Sequence, residues 1–381
     1  MTAADDLHSA LLADLAAAGR LSPQWRDDFT RVPRHRFIPE TVWLDEDGEP
    51  VPLRRADSPD EWLRACYADR PLITQLDDGD GSGHGYSSSS ASMPTTVAMM
   101  LAALDLRPGM RVLEIGTGTG YNAALLAARA GAERVTSLDV DPAVAERARA
   151  SLKAAGWPVN VVTADGTAGY PPAAPYDRVL ATAAVQRVPY AWVAQTAPGG
   201  RIVTPWGTAF HNGALLHLRV RADGTASGRF GGNSAFMWVR GQRLPHGAVE
   251  DRVRPEHDCT QTVTELHPHY ALADFDASFA IGVRVPAMKP VVVFDNDDPG
   301  GGAYTAYLLD PFAESWASWR VEPGTCRFPV RQHGPRRLFD ELRAAYMWWA
   351  DAGRPAHTRF GLTVDRAGQA VWLDGPERRV G

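Results

Sequence analysis

From Met110 to Pro205 the sequence alternates short apolar runs with helix-length segments, and this alternation limits the possible folds more than any other feature. Arg111 to Ile115, Val135 to Val140, Val159 to Thr163, Arg178 to Ala181 and Arg201 to Pro205 read as strands. Tyr121 to Ala130, Pro142 to Ala155 and Tyr190 to Thr196 read as helices. Strands alternating with helices imply an α/β, Rossmann-like fold: a mostly parallel sheet with helices on both faces. Ligands of such sheets bind beyond the C-terminal strand ends, near the topological switch point.

The flanks read differently. Residues 1 to about 40 look helical and end at Pro39, and 41 to 60 suggest a loop or short hairpin. Residues 76 to 90, rich in Gly, Ser and Asp, suggest a mobile loop, followed by a helix from Thr95 to Leu104 that starts just after Pro94. Beyond residue 246, Ala280 to Val285, Pro290 to Phe294, Tyr304 to Leu309 and Trp316 to Val321 read as strands. A helix from Pro335 to Ala352 and a hairpin from Gly361 to Leu373 complete a C-terminal α+β domain. The chain thus divides into an N-terminal helical region (1–75), a catalytic core (76–245) and the C-terminal domain (246–381), with 246–262 as the linker.

Composition narrows the function. Thirty-nine Lys and Arg against 45 Asp and Glu give a net charge of −6, with no basic run to suggest a nucleic-acid or membrane partner. The longest apolar stretch, Val97 to Leu104, is too short to span a bilayer, and Asp5 and Asp6 stand where a signal peptide needs basic residues. Cys66, Cys259 and Cys326 form no CxxC pair, so the expectation is a cytoplasmic monomer with no metal. Asp77, Asp78 and Asp80 among glycines lack the distal Glu of a calcium loop.

The first chemical motif is Glu114-Ile115-Gly116-Thr117-Gly118-Thr119-Gly120, between a strand and a helix. Taken alone it fits either a dinucleotide or S-adenosylmethionine, since Gly118-Thr-Gly120-Tyr-Asn-Ala123 also reads as G-x-G-x-x-A. Three acids favour S-adenosylmethionine. Glu114 precedes the glycines, where a carboxylate can meet a cationic amino group but would repel a pyrophosphate. Asp139 ends the next strand, in reach of ribose hydroxyls, although Asp141 fits better as cap of the following helix. Asp165-Gly166 ends the third strand, where an Asp can accept from an adenine amine.

Ordered blocks then carry a specific resemblance. Val32-Pro33-Arg34-His35-Arg36-Phe37-Ile38-Pro39, Tyr67-Ala68-Asp69-Arg70-Pro71-Leu72, Ala174-Pro175-Tyr176-Asp177, Ala181-Thr182-Ala183-Ala184 and Gly199 to Gly207 resemble segments of protein-L-isoaspartate O-methyltransferases. Ser89-Ser90-Ala91-Ser92-Met93-Pro94 stands where that family has QTISxP. The resemblance spans residues 25 to 245 and implies a methyltransferase fold with Gly116, Thr117, Gly118, Gly120, Ser89 and Ser90 beside the acids at the cofactor. It also implies Tyr67, Ala183 and Ala184 near substrate and Ser92 as the residue orienting the acceptor carboxylate. The departures are Ser89 and Ser90 in place of Gln and Thr, the longer acidic loop, the 41–60 insertion and the C-terminal region. Similar extended relatives tailor ribosomally made peptides.

A carboxylate with an ordinary pKa near ~4 is ionised at neutral pH, so methyl transfer to it needs no general base. The leading expectation is methylation of an aspartate in a ribosomally made peptide, giving an ester and then a succinimide. The alternatives are repair methylation of isoaspartate, a small-molecule acid methyltransferase, or a non-catalytic adaptor. Ser92 could instead merely cap the helix after Pro94, His84 could touch substrate, and Trp348, off the apolar stripe of its helix, could contact a peptide.

Overall fold

The computed structural model describes residues 2–46, 48–83, 85–245, 249–295 and 302–380. His84 therefore lies outside the described residues. Helix α1 (Ala3–Ala17) opens on a reciprocal capping box, with the Thr2 hydroxyl accepting from Asp5 N–H and the Asp5 carboxylate accepting from Thr2 N–H. Helix α2 (Arg26–Arg31) follows, then β1 (Thr41–Glu46) and β2 (Glu49–Arg54), so the insertion is a hairpin. Helix α3 (Pro59–Cys66), β3 (Leu72–Leu76) and β4 (Ser87–Ala91) complete an antiparallel sheet of order β2-β1-β3-β4. The serine run is thus an edge strand, and the connection before it is tied down. Asp77 is buried and its carboxylate accepts from the N–H groups of Gly85 and Tyr86.

The middle of the chain matches the alternating pattern. Helix α4 (Pro94–Leu104) leads to β5 (Val112–Ile115), α5 (Tyr121–Ala130), β6 (Val135–Asp139), α6 (Pro142–Ala154), β7 (Asn160–Thr163), β8 (Tyr176–Ala181), α7 (Tyr190–Ala194) and β9 (Thr196–Gly207). Strands β5 to β9 run parallel in the order β7-β6-β5-β8-β9. All four residues of β5 are buried, as expected of a strand covered on both faces. The chain departs from β5 first toward β6 and later toward β8, so the switch point lies between β5 and β8. Two strands that the sequence reading leaves unassigned, β10 (Asn212–Val220) and β11 (Ala226–Asn233), extend the sheet antiparallel from β9.

The C-terminal region is not a wholly separate unit. Helix α8 (Val249–Arg252), β12 (Thr260–Thr264), α9 (Pro268–Leu272), α10 (Phe275–Arg284), β13 (Lys289–Phe294), β14 (Tyr304–Leu309), β15 (Trp316–Val321), β16 (Phe328–His333) and α11 (Leu338–Asp351) form it first. Its five strands pair in the order β12-β16-β15-β14-β13. The chain then returns as β17 (Phe360–Asp365), β18 (Gly368–Leu373) and β19 (Arg379–Val380). Strand β17 pairs antiparallel with β11, making one ten-stranded sheet of the methyltransferase core and the C-terminal hairpin.

Two expectations fail here for physical reasons. Ala280 to Val285 is the end of α10, not a strand: Asp274 caps that helix through Ala277 N–H, and burial on all sides hides its period. Strand β12 begins within the expected linker and runs two residues past it; its pairing partner β16 is some seventy residues away, so no local signal marks it. Trp348 packs against Phe360 with the Arg284 guanidinium 5.2 Å from its ring centroid, so it belongs to the core boundary. No helix among the described residues is long and apolar enough to cross a membrane.

Candidate functional site

A cavity of about 310 Å³ opens above the C-terminal ends of β5, β6 and β8, at the switch point. Its floor is the turn from β5 to α5. Gly116 has φ +95°, and a Cβ built there would lie 2.8 Å from Thr182 Oγ1, so only glycine fits without displacement. Thr182 in turn donates from Oγ1 to Gly116 O (2.6 Å), locking the turn to the end of β8. Gly118 faces β4: its built Cβ would lie 3.5 Å from Ser90 O across the cleft.

Asp139 lies on the cavity wall. Its carboxylate accepts from Gly118 N–H and Asp141 N–H (both 3.0 Å), and burial raises its pKa. Asp141 caps α6 through the N–H groups of Ala143 and Val144, as its position in the sequence suggests. Asp165 is exposed on the wall, with one oxygen accepting from Thr167 N–H (2.9 Å). Ser89, Ser90, Ser92, Gly116, Thr117, Gly118, Asp139, Asp165, Gly166 and Ala183 all line this one cavity.

Four singled-out residues do not reach the wall. Glu114 has no exposed surface, and its carboxylate accepts from Asn122 Nδ2 (2.6 Å) and Ser137 Oγ (2.5 Å) beneath the glycine turn. Burial pushes its carboxyl up to about 7, against the pull of those two bonds. Both of its oxygens are thus engaged within the interior, behind the cavity wall. Gly120 begins α5 one turn further on, its built Cβ 3.1 Å from Leu152. Tyr67 is buried with its hydroxyl 2.5 Å from His35 Nδ1. Ala184 is buried in a bridge to Trp238.

Ser92 is half-buried on the wall, and among the described residues its hydroxyl makes no hydrogen bond. It does not cap α4. That helix has Pro94 as its first residue and Met93 before it, which gives no side-chain cap, and Asp69 accepts from Thr95 N–H (2.8 Å) and Thr95 Oγ1 (2.6 Å) in its first turn.

The sequence reading misses the roof. Met237 to Gly241 and Arg243 line the cavity from above. Asp78, in the acidic loop, accepts two bonds from Arg243 (2.5 and 3.0 Å), one from Tyr86 Oη (2.9 Å) and an ion pair from Arg240 (2.9 Å). These bonds hold the Asp78 carboxyl below the usual carboxylate range. Arg240 also reaches Asp141 (3.4 Å), which accepts from Gln75 Nε2 (3.1 Å). No local signal marks these partners, because Asp78 and Arg243 are 165 residues apart in the chain.

Comparison with known proteins gives the cavity its context. A family model for protein-L-isoaspartate(D-aspartate) O-methyltransferase matches residues 54–242, which include every residue lining the cavity except Arg243. A relative of that name from Archaeoglobus fulgidus is 33% identical over 240 residues, 62% of this chain and 94% of its own. Another from Methylorubrum populi is 42% identical over 206 residues, 54% of this chain and 90% of its own. A solved structure titled protein-L-isoaspartate O-methyltransferase shares the fold at TM-score 0.55 and 20% identity, covering 97% of this chain and all of its own. The chain belongs to the protein-L-isoaspartate(D-aspartate) O-methyltransferase family.

Proposed function

We propose that this protein methylates the free carboxylate of L-isoaspartyl residues in proteins or peptides, using S-adenosylmethionine. The carrying observation is one cavity that joins a glycine-floored, acid-walled cleft to the Ser92 hydroxyl, which has no hydrogen-bond partner among the described residues. The cleft suits the cofactor. Gly116 leaves open the space a Cβ would fill, Asp139 keeps lone pairs for ribose hydroxyls, and exposed Asp165 can accept from the adenine amine. Bound there, the sulfonium supplies an electrophilic methyl group.

The protein's own part is orientation. Ser92 donates to one acceptor oxygen and turns the other toward the methyl; no base is needed, because the acceptor is already an anion. Met237 to Gly241 and Arg243 roof the cavity, which would limit water at the reacting atoms once the cofactor and acceptor are bound. The resulting ester is a better electrophile than the carboxylate, because methanol is a far better leaving group than oxide. The next backbone nitrogen attacks its carbonyl carbon, loses its proton and expels methanol to give a succinimide, which water opens to aspartate and isoaspartate.

The relatives' names favour isoaspartate over the peptide-tailoring reading expected from sequence. Methylation of an ordinary aspartate remains a second reading, favoured by Ser89 and Ser90 at the Gln and Thr positions and by the region beyond residue 246. Methyl transfer onto matched peptides containing isoaspartate, aspartate or neither separates them. Transfer to the isoaspartyl peptide alone supports the proposal; transfer to neither overturns it. Ser92→Ala should lower kcat ~10- to 100-fold with an unchanged melting temperature.

A further inference from the structure

Arg34 has no exposed surface, yet among the described residues its guanidinium makes no salt bridge to a carboxylate. It spends its donors on carbonyl oxygens: Nη1 on Cys66 (2.8 Å), and Nη2 on Ser92 (3.0 Å), Ala91 (3.2 Å) and Arg70 (3.3 Å). Its Nε finds no partner among the described residues. A buried cation without a direct salt bridge, here with Asp69 acting only from further off, is an unfavourable group for a core to hold, and an apolar side chain of similar volume would pack there at less cost. What the charge achieves is local. It gathers the end of α3, the turn before β3 and the end of β4 at one point, directly behind Ser92. In a trans peptide the N–H runs opposite to the C=O. With both carbonyls drawn inward, the N–H groups of Ser92 and Met93 turn away from Arg34.

We propose that Arg34 is the positioning residue of the acceptor site: by holding the carbonyls of Ala91 and Ser92, it fixes the direction in which the Ser92 hydroxyl enters the cavity. This rests on the reading of Ser92 given above. Asp69, three residues past Cys66, assists from the other side by capping α4 at Thr95. The guanidinium is suited to the task because its fork reaches several acceptors in fixed geometry, whereas a lysine ammonium is a point charge on a flexible stem.

The test is a double-mutant cycle on the full chain, with an isoaspartyl peptide as acceptor and S-adenosylhomocysteine as the cofactor-site probe. Arg34→Lys should lower kcat ~10- to 100-fold while the dissociation constant of S-adenosylhomocysteine stays within about threefold. In a Ser92→Ala background the same change should cost less than about threefold, because the group it positions is gone. Equal losses in both backgrounds overturn the proposal, as does a fall in S-adenosylhomocysteine affinity that tracks the loss of kcat. Arg34→Gln is made alongside. If neither variant folds, the proposal also fails, since the guanidinium then serves the core as a whole. A Ser92→Ala enzyme that works at the wild-type rate removes the reading of Ser92, and this inference with it; additivity alone removes only the role of Arg34.

Discussion

Replacing Glu114 with Gln decides whether that carboxylate serves the interior or the cofactor. Glu114 is wholly buried on β5, and burial raises its carboxyl from 4.5 to about 7. At roughly 1.4 kcal/mol per tenfold, that rise is worth about 3 kcal/mol. Because the folded-state value is the higher one, the stabilisation is fully present below pH 4.5 and is lost as pH rises through 7. Gln keeps the shape and one acceptor for Asn122. Ser137 can accept from the new amide and turn its own proton to Thr117, whose Oγ1 lies 2.6 Å away. Urea unfolding of both proteins from pH 4.5 to 8 should show the variant gaining ~3 kcal/mol on wild type across that range. Its dissociation constant for S-adenosylhomocysteine should stay within about threefold. Parallel stability curves, or a loss of cofactor affinity of ~100-fold, would refute the reasoning and return Glu114 to the ligand set.

Three further outcomes follow from neighbouring features. Burial lowers His211 from 6.5 to about 4, so its contribution is present above pH 6.5 and lost as pH falls through 4; His211→Gln should flatten that acid limb by ~3 kcal/mol in the same unfolding series. The limb should be steeper in the Glu114→Gln protein, where nothing of opposite sign offsets it. Asp78→Asn removes the anion beneath Arg240 and Arg243; stopped-flow release of S-adenosylhomocysteine should quicken ~10-fold, and an unchanged rate would show that the roof does not gate the cleft. Gly116→Ala forces a Cβ to 2.8 Å from Thr182 Oγ1 at φ +95° and should cost ~1–3 kcal/mol of stability together with cofactor binding, measurable by calorimetry.

What the sequence discloses and what it hides have a common explanation. The glycine turn, Asp139, Asp165 and Ser92 are legible because each sits at a fixed offset from a strand end or helix start, and local geometry dictates its residue type. Glu114 is legible as an acid, but its bonds to Ser137 and Asn122 beneath the turn are not. The Asp78 clasp and the Arg34 clamp are invisible for the same reason: their partners arrive from distant segments, brought together only by the completed sheet. Elements fail likewise. The middle of helix α10, Ala277 to Val283, is buried all round, so its period is lost, and β10 and β11 take their identity from the strands they pair with.

The pairing of β17 with β11 has a consequence for how this protein can be divided. A chain ending near residue 245 keeps every wall of the catalytic cavity but leaves β11 with one row of bare amide and carbonyl groups, and takes Phe279 and Phe360 away from Trp206 and Phe230. Such an unprotected border invites stacking of one molecule onto the next. The closing hairpin therefore acts as a selvedge, and the compact core should survive excision only if charged or proline residues are written into β11 to replace it.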